Sequence, residues 1–315
     1  MEVDISNEGI ISSDKNKYLM KIKATYDDYL TEKEFVKDVK HNMKRMSFKI
    51  NGKNNLGCID ISVVNFKIPR GNTVISDYAI INSINSDTSC SIAGNLELGI
   101  GTRDMIYTSL QTVLKLCPWV KYFKFNDYSK KKCSNSDSGS VSLSYYYIAL
   151  YGKTWYEEVL HAKPENLHNR AKYYEYIKRL KEPTYKMKWT EFYSFLTLKQ
   201  FNLDLDIPLM EIYTSSATYE EFFTKLKNHI NNNSKLCVKL SLWIEDFIVK
   251  YIFSGETHLI TDTWIAESSD IPKVQFKDPW FVDETMLGRD KFRTLLQQLR
   301  SQAGGGKHLK GYKLV

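Results

Sequence analysis

A glycine turn that leads directly into a helix is the feature that most constrains how this chain folds. Residues 99–106 read Gly-Ile-Gly-Thr-Arg-Asp-Met-Ile. The two glycines allow a tight bend, or a close approach of the backbone to a ligand. Thr102 is a favoured N-cap and Asp104 supplies a first-turn acid, so a helix is predicted over residues 103–116. The unpaired N–H groups of such a helix start predict either an anion site or an ordinary turn without a ligand.

Alternating apolar and polar residues predict strands on both sides of this turn. The predicted strands are Tyr18–Thr25, Ser47–Ile50, Cys58–Ile68, Val74–Asn82 with a continuation over Ser89–Leu98, and Val120–Phe125. A helix is predicted over Thr31–Met46, because two glutamates follow the threonine as in a helix N-terminus. Residues 1–16 are read as a loose N-terminal segment. Helices interspersed with mainly antiparallel strands predict an α+β fold.

Helical patterns dominate the chain after a polar loop at residues 126–141. The predicted helices cover residues 142–152, 166–181, 189–201, 218–231, 236–253 and 292–302, and a strand is predicted over 258–266. The composition changes near residue 166, and three consecutive glycines precede a basic C-terminus. We therefore expect an α/β domain at 1–165, a mainly helical domain at 166–303 and a basic flexible tail at 304–315.

Several classes of protein lack support in the sequence. No G-x-S-x-G, H-E-x-x-H or Walker A motif is present. The six histidines show no helical pair spacing and the cysteines form no C-x-x-C pair, so no metal site is expected. The five cysteines are scattered and odd in number, which favours reduced thiols in a cytosolic compartment. No apolar run approaches the roughly 20 residues of a membrane helix, so no membrane association is expected.

The order of elements over residues 18–160 resembles the GNAT family of N-acetyltransferases. This resemblance implies a mixed, mostly antiparallel sheet flanked by helices, here followed by a mainly helical C-terminal domain. It also implies acetyl-CoA as the cofactor, because the family holds the pyrophosphate at a glycine turn before a helix. The residues that match this cofactor site are Gly99, Gly101, Thr102 and Arg103, with Asn126 at the end of the following strand.

The same resemblance implies residues for the transfer of an acetyl group to an amine. Such a reaction deprotonates the amine and protonates the leaving thiolate. Tyr151 lies where the family has the tyrosine that protonates the thiolate, and Glu97 or Asp87 would act as the base. The chain departs from the family at Leu96, where an arginine or glutamine is the rule. Whether the protein is an enzyme therefore stays open.

Two short phrases resemble a group of proteins from giant DNA viruses of protists, for which we know no function. The phrases are Phe123-x-Phe125-Asn126-Asp127 and the run from Tyr151 to Glu157. This resemblance implies a viral protein in the host cytoplasm, at the viral factory, or in the virion.

Two functions other than acetyl transfer are also compatible with the sequence. A catalytically silent protein on the same fold would bind a host or viral protein through residues 166–303. Weak, non-specific binding of nucleic acid would use the net charge of +7 and lysines and arginines interleaved with tyrosines. The basic residues considered for this role are Lys121, Lys124, Lys130–Lys132, Arg170, Lys172, Lys178, Arg179, Lys307, Lys310 and Lys313.

Overall fold

The computed structural model has an α+β fold, as predicted. It describes residues 3–13, 16–27, 42–52, 57–67, 73–85, 87–92, 96–97, 99–127, 129–132, 140–198, 208–230, 243–275 and 281–282. None of the helices in these ranges is long and apolar enough to cross a membrane.

The strands are β1 (Val3–Ser12), β2 (Lys17–Asp27), β3 (Asn42–Asn51), β4 (Gly57–Lys67), β5 (Thr73–Ile84), β6 (Tyr122–Asn126), β7 (Lys130–Lys132), β8 (Ser140–Ser142), β9 (Lys163–Pro164), β10 (Thr263–Glu267) and β11 (Phe281–Val282). The helices are α1 (Ile100–Leu116), α2 (Leu143–Tyr151), α3 (Trp155–Leu160), α4 (Leu167–Lys178), α5 (Trp189–Leu198), α6 (Leu209–Thr214), α7 (Tyr219–Ile230), α8 (Ile244–Phe247) and α9 (His258–Thr261). A π-helical turn, Ile248–Ile252, continues α8.

The chain divides into two compact units, Met1–Phe125 with Ala266–Val315 and Asn126–Ile265. These boundaries differ from the division expected at residue 165. The helices on either side of that position, α3 and α4, belong to the same unit. The Tyr173 hydroxyl of α4 donates to the Glu157 carboxylate of α3 at 2.8 Å, so polar contacts cross the expected boundary.

The sheet of the first unit has the strand order β11-β1-β2-β3-β4-β5-β6. All neighbours from β11 to β5 are antiparallel, whereas β5 and β6 are parallel. Parallel neighbours need a crossover connection, which α1 provides. Within this unit the end of β10 lies beside the start of β6, because the Ser268 N–H donates to the Lys121 carbonyl at 2.8 Å. The prediction of a mixed, mostly antiparallel sheet is confirmed.

The core of the first unit lies between one face of this sheet and α1. Period-two alternation places alternate residues of β2 and β3, such as Met20 and Phe48, on that face. Met20 is paired with Ile50 across β2 and β3, and Phe48 with Ile61 across β3 and β4. All four of these side chains are fully buried. The buried apolar residues of α1 are Met105, Ile106, Leu110, Val113 and Leu116.

The second unit is mainly helical and has an aromatic core. Phe192 of α5 stacks on Tyr213 of α6 with ring centroids 4.4 Å apart. Phe222, Trp243 and Phe247 meet the Phe192 ring edge-on. Such pairs add about 0.5–1.5 kcal/mol each beyond their buried area. The high aromatic content of the sequence therefore supplies much of the packing of this unit.

Four local predictions differ from the structure. Residues 3–12, expected to be loose, form β1, which pairs with β2 along its length. The helix predicted over Thr31–Met46 falls partly outside the described residues, and Asn42–Met46 belong to β3. These residues form a strand and not a helix, because Met46 pairs with β2 and is buried on the same face as Phe48 and Ile50. The predicted continuation over Ser89–Leu98 begins instead with a 3-10 turn. The strand predicted over 258–266 starts as α9.

Cys58 and Cys90 form a disulfide with their Cα atoms 5.9 Å apart. This corrects the expectation of reduced thiols. The two cysteines meet because the chain folds back after β5, where the Asn85 N–H donates to the Cys58 carbonyl at 2.7 Å. A scattered spacing of 32 residues carries no signal for such a contact, since only the β4–β5 pairing brings the two sites together.

Candidate functional site

The glycine turn has the predicted position but a different internal arrangement. Gly99 is the N-cap of α1 and has φ +91°, which favours glycine. Thr102 is therefore not the N-cap but the third helical residue, and its hydroxyl accepts the Gly99 N–H at 3.3 Å. Asp104 lies beyond the first turn, which contains no acidic residue.

Two of the amides expected to receive an anion already donate within the chain. The Gly101 N–H donates to the Glu97 carbonyl at 2.8 Å, and the Arg103 N–H donates to the Gly99 carbonyl at 3.0 Å. Gly101 is buried, and a Cβ added to it would lie 2.9 Å from Leu96 Cδ1. Close packing on Leu96 therefore explains the second glycine without a ligand.

Asp104 anchors the start of α1 to the hairpin of β1 and β2. Its Oδ2 atom accepts the hydroxyls of Ser13 at 2.7 Å and Tyr18 at 2.6 Å, and the Asn16 amide at 3.2 Å. Burial, together with the Asp104 carboxylate, raises the pKa of Tyr18 far above its ordinary range. The aspartate thus has a structural role in this unit, which sequence reasoning missed because its partners are about 90 residues away.

The paired part of the parallel strands β5 and β6 is short. Their ladder ends at the pair Ile80–Lys124, although β5 continues to Ile84 and β6 to Asn126. The register between β4 and β5 shifts between Asp60 and Ile61, which are paired with Ser83 and Ile81. The shift places a bulge in β5 directly after the last pair with β6. Bulges and strand ends of this kind are common beside ligand sites. This is the feature of the first unit that best fits a bound ligand.

The remaining predicted residues are distributed between the two units. In the first unit Glu97 is exposed and Arg103 is half-buried. Asp87 caps the 3-10 turn, because its carboxylate accepts the Ser89 N–H at 2.8 Å. Asn126 and Tyr151 belong to the second unit. The structure therefore brings together the residues around the start of α1 but does not place Tyr151 in the same unit.

Tyr151 lies at the end of α2, as predicted, with its side chain 41% exposed. Its ring stacks on Tyr147 with the centroids 4.6 Å apart. The Lys227 ammonium lies 4.2 Å from the centroid of the Tyr151 ring. The phenol is thus held between an aromatic ring and a cation, an arrangement that also serves simple packing of α2 on α7.

Three basic residues in and beside α4 form hydrogen bonds or an ion pair within the second unit. Arg170 Nε donates to the Pro164 carbonyl at 3.0 Å, and Arg179 Nη1 donates to the Ile252 carbonyl at 3.0 Å. Lys172 pairs with Glu256 at 3.1 Å. Of these three, Lys172 is paired with a carboxylate, whereas Arg170 and Arg179 keep their charge beside neutral backbone carbonyls, so the nucleic-acid surface stays a prediction.

Sequence reasoning missed a buried carboxylate, Asp127, that directly follows β6. It accepts both the N–H and the hydroxyl of Ser129, as in a common Asx turn. An aspartate two residues before a serine at a strand end signals such a turn. Nothing in the sequence indicates that the carboxylate is buried, because burial depends on how α2 packs.

No protein-family model matches this chain, and no curated protein matches it significantly.

Proposed function

We propose that this protein is a GNAT-like protein that binds acetyl-CoA in the first unit and transfers the acetyl group to an amine. The end of the β5–β6 ladder at the pair Ile80–Lys124 carries the proposal, because both strands continue beyond it. It lies toward the carboxyl ends of two parallel strands that are connected by a crossover helix, α1, whose N-cap is a glycine of positive φ. The arrangement of strands and helix agrees with what the resemblance implies.

The turn before α1 would contact the pyrophosphate of the cofactor. Gly99 leaves its surroundings open, because a Cβ built there meets no atom within 4 Å. Arg103 is half-buried, lies one turn into α1, and supplies a positive charge near the helix start, where the dipole also favours anions. Glu97, which belongs to the same unit, would accept the proton of the amine.

Calorimetric titration of acetyl-CoA into the full chain tests the proposal. We expect micromolar binding by the natural sequence. Arg103→Gln should weaken it by roughly 10- to 150-fold, because a charged hydrogen bond contributes roughly 1.5–3 kcal/mol. Lys121→Gln is the matched control, since Lys121 is exposed and precedes β6, and it should bind as the natural protein does. Absence of binding by the folded natural protein would contradict the proposal.

A catalytically silent binding protein is the second candidate, and a different observation favours it. Leu96 stands where the GNAT family has a polar residue, is only 1% exposed and packs on Gly101. The amides of Gly101 and Arg103 also donate to carbonyls of the chain, so the turn resembles one that packs on its own neighbours and binds no ligand. In this case the titration would give no heat, and residues 166–303 or the second unit would bind a protein partner. Size-exclusion chromatography with light scattering, after mixing with a candidate partner, would then detect the complex.

A further inference from the structure

The net positive charge of the chain is concentrated in one short segment of the second unit. Residues 163–188 contain eight lysines and arginines and three glutamates, so they carry five of the seven net positive charges. The segment runs from β9 through α4 and the 3-10 turn Pro183–Tyr185 to the residue before α5. We call residues 163–188 the basic segment. Charge concentrated in this way attracts polyanions.

Ion pairs cancel only part of the charge of the basic segment. Lys172 pairs with Glu256 at 3.1 Å. Lys181 lies 3.5 Å from Glu220, and both of these side chains are exposed, so their attraction is weak in water. Arg170 donates to a neutral backbone carbonyl and keeps its charge. The segment therefore stays positive in the folded protein.

Arg179 is held in place by neutral groups. Its Nη1 atom donates to the Ile252 carbonyl at 3.0 Å and to the Ser254 hydroxyl at 2.6 Å. Its guanidinium carbon lies 4.0 Å from the centroid of the Tyr176 ring and 5.2 Å from that of the Tyr185 ring. These contacts fix the guanidinium beside Tyr185 and leave its positive charge available to an anion.

The basic segment also presents aromatic rings to solvent. Tyr174 is 39% exposed and Tyr185 is 48% exposed. Lys178 follows Tyr174 by four residues, so the two lie on the same face of α4, and both Lys178 and Lys188 are exposed. Exposed aromatic rings among cations are the combination with which proteins bind single-stranded nucleic acid, because the cations contact phosphates and the rings stack on bases.

We propose that the basic segment binds single-stranded nucleic acid. Lys178, Arg179 and Lys188 contact phosphate groups. Bases stack on the rings of Tyr174 and Tyr185, and this stacking accepts every base. An acidic protein would match the charge equally well, but the tyrosine rings between the cations favour bases. The inference does not rest on acetyl transfer, because all of these residues belong to the second unit.

Fluorescence anisotropy of a labelled oligothymidylate of about 12 nucleotides, titrated with the full chain, tests the phosphate contacts. At about 50 mM salt we expect micromolar binding. The double substitution Lys178→Gln and Lys188→Gln should weaken it by at least about tenfold, because one phosphate contact on a single strand gives roughly eightfold at that salt concentration. Lys225→Gln with Lys250→Gln is the matched control, since these exposed lysines of the same unit lie outside the basic segment.

A second set of variants tests the stacking. Tyr185→Ala should weaken binding of the oligothymidylate by at least about fivefold, because stacking on one ring contributes roughly 5- to 150-fold. Tyr185→Phe keeps the ring and should bind as the natural protein does. Tyr193→Ala is the control, because this tyrosine of α5 is 44% exposed and lies outside the segment. A duplex with the same number of phosphates should bind more weakly, since its bases are already stacked.

Circular dichroism establishes that each variant is folded. Absence of oligothymidylate binding by the folded natural protein at about 50 mM salt would overturn the inference. Equal losses in the two double lysine variants would overturn it as well, and this comparison holds even if Tyr185→Ala does not fold. A polyglutamate peptide of equal charge should bind more weakly than the oligothymidylate. If it binds as tightly, and Tyr185→Ala leaves oligothymidylate binding unchanged, the partner is an acidic protein and the inference is wrong.

Discussion

Removal of the disulfide between Cys58 and Cys90 gives the sharpest test of the first unit. The double substitution Cys58→Ala and Cys90→Ala opens a loop spanning 32 residues in sequence. Loop-closure entropy for that length predicts a loss of about 3.7 kcal/mol in the free energy of unfolding at 25 °C. For a unit of this size the loss corresponds to a fall in Tm of roughly 7–15 °C.

The disulfide also holds the connection between β5 and α1, so a local effect is expected. The Leu96 N–H donates to the Thr88 carbonyl at 3.0 Å, and the Asn85 N–H donates to the Cys58 carbonyl. Hydrogen exchange at these two amides should become faster in the double variant. Exchange at the amides of α2, in the second unit, should stay unchanged.

Thermal unfolding followed by circular dichroism, with and without a reducing agent, measures the loss. The natural protein should lose stability on reduction, whereas the double variant should not respond. Cys117→Ala is the control, because it removes a buried sulfur that is not part of the disulfide. Equal stability of the oxidised natural protein and the double variant would refute the entropy argument. Two alkylated thiols at these positions in the unreduced protein would refute the disulfide itself.

Three further predictions concern single positions and the protein surface. Gly101→Ala should lower the free energy of unfolding by about 1–3 kcal/mol through overpacking on Leu96, as measured by urea unfolding. Gly57→Ala, whose new methyl meets no atom within 4 Å, should be neutral or slightly stabilising. Hydrogen bonds from Lys172 and Tyr176 lower the pKa of Glu256 below its ordinary value of 4.5. The stabilisation that these bonds give is therefore complete above pH 4.5, and it is lost as the pH falls through the lowered pKa. Glu256→Gln should therefore flatten the acid side of the stability curve, and parallel acid unfolding of both proteins would contradict this. Single-stranded DNA should bind weakly, and its affinity should fall steeply between about 50 and 200 mM salt in a filter-binding assay. An affinity that stays constant over this range would exclude a surface that binds mainly phosphate groups.

The sheet and its crossover could be predicted because their signals are local. The predicted strands Cys58–Ile68 and Val120–Phe125 coincide with β4 and β6 within two residues. Gly152, expected to end a helix, has φ +66° directly after α2. Alternation and capping depend on neighbouring residues, so a single sequence shows them clearly.

The division of the chain could not be predicted, because it depends on packing between distant segments. Residues 266–315 group with the first unit, although about 140 residues of the second unit separate them from Phe125. The composition change near residue 166 coincides with the start of α4, which belongs to the second unit together with α3. Local sequence patterns contain no information on which distant segment a strand joins.

The candidate site shows the same difference between local signal and long-range contact. The glycine turn and the helix after it were correctly located, yet the second glycine has a packing partner four or five residues earlier, at Leu96 and Glu97. A glycine before a helix has two physical explanations, approach of a ligand and approach of a neighbouring side chain. Only the position of the neighbour distinguishes them, and at Gly101 the neighbour is present. Gly99, whose surroundings are open and whose φ is positive, is therefore the glycine at which ligand binding is decided.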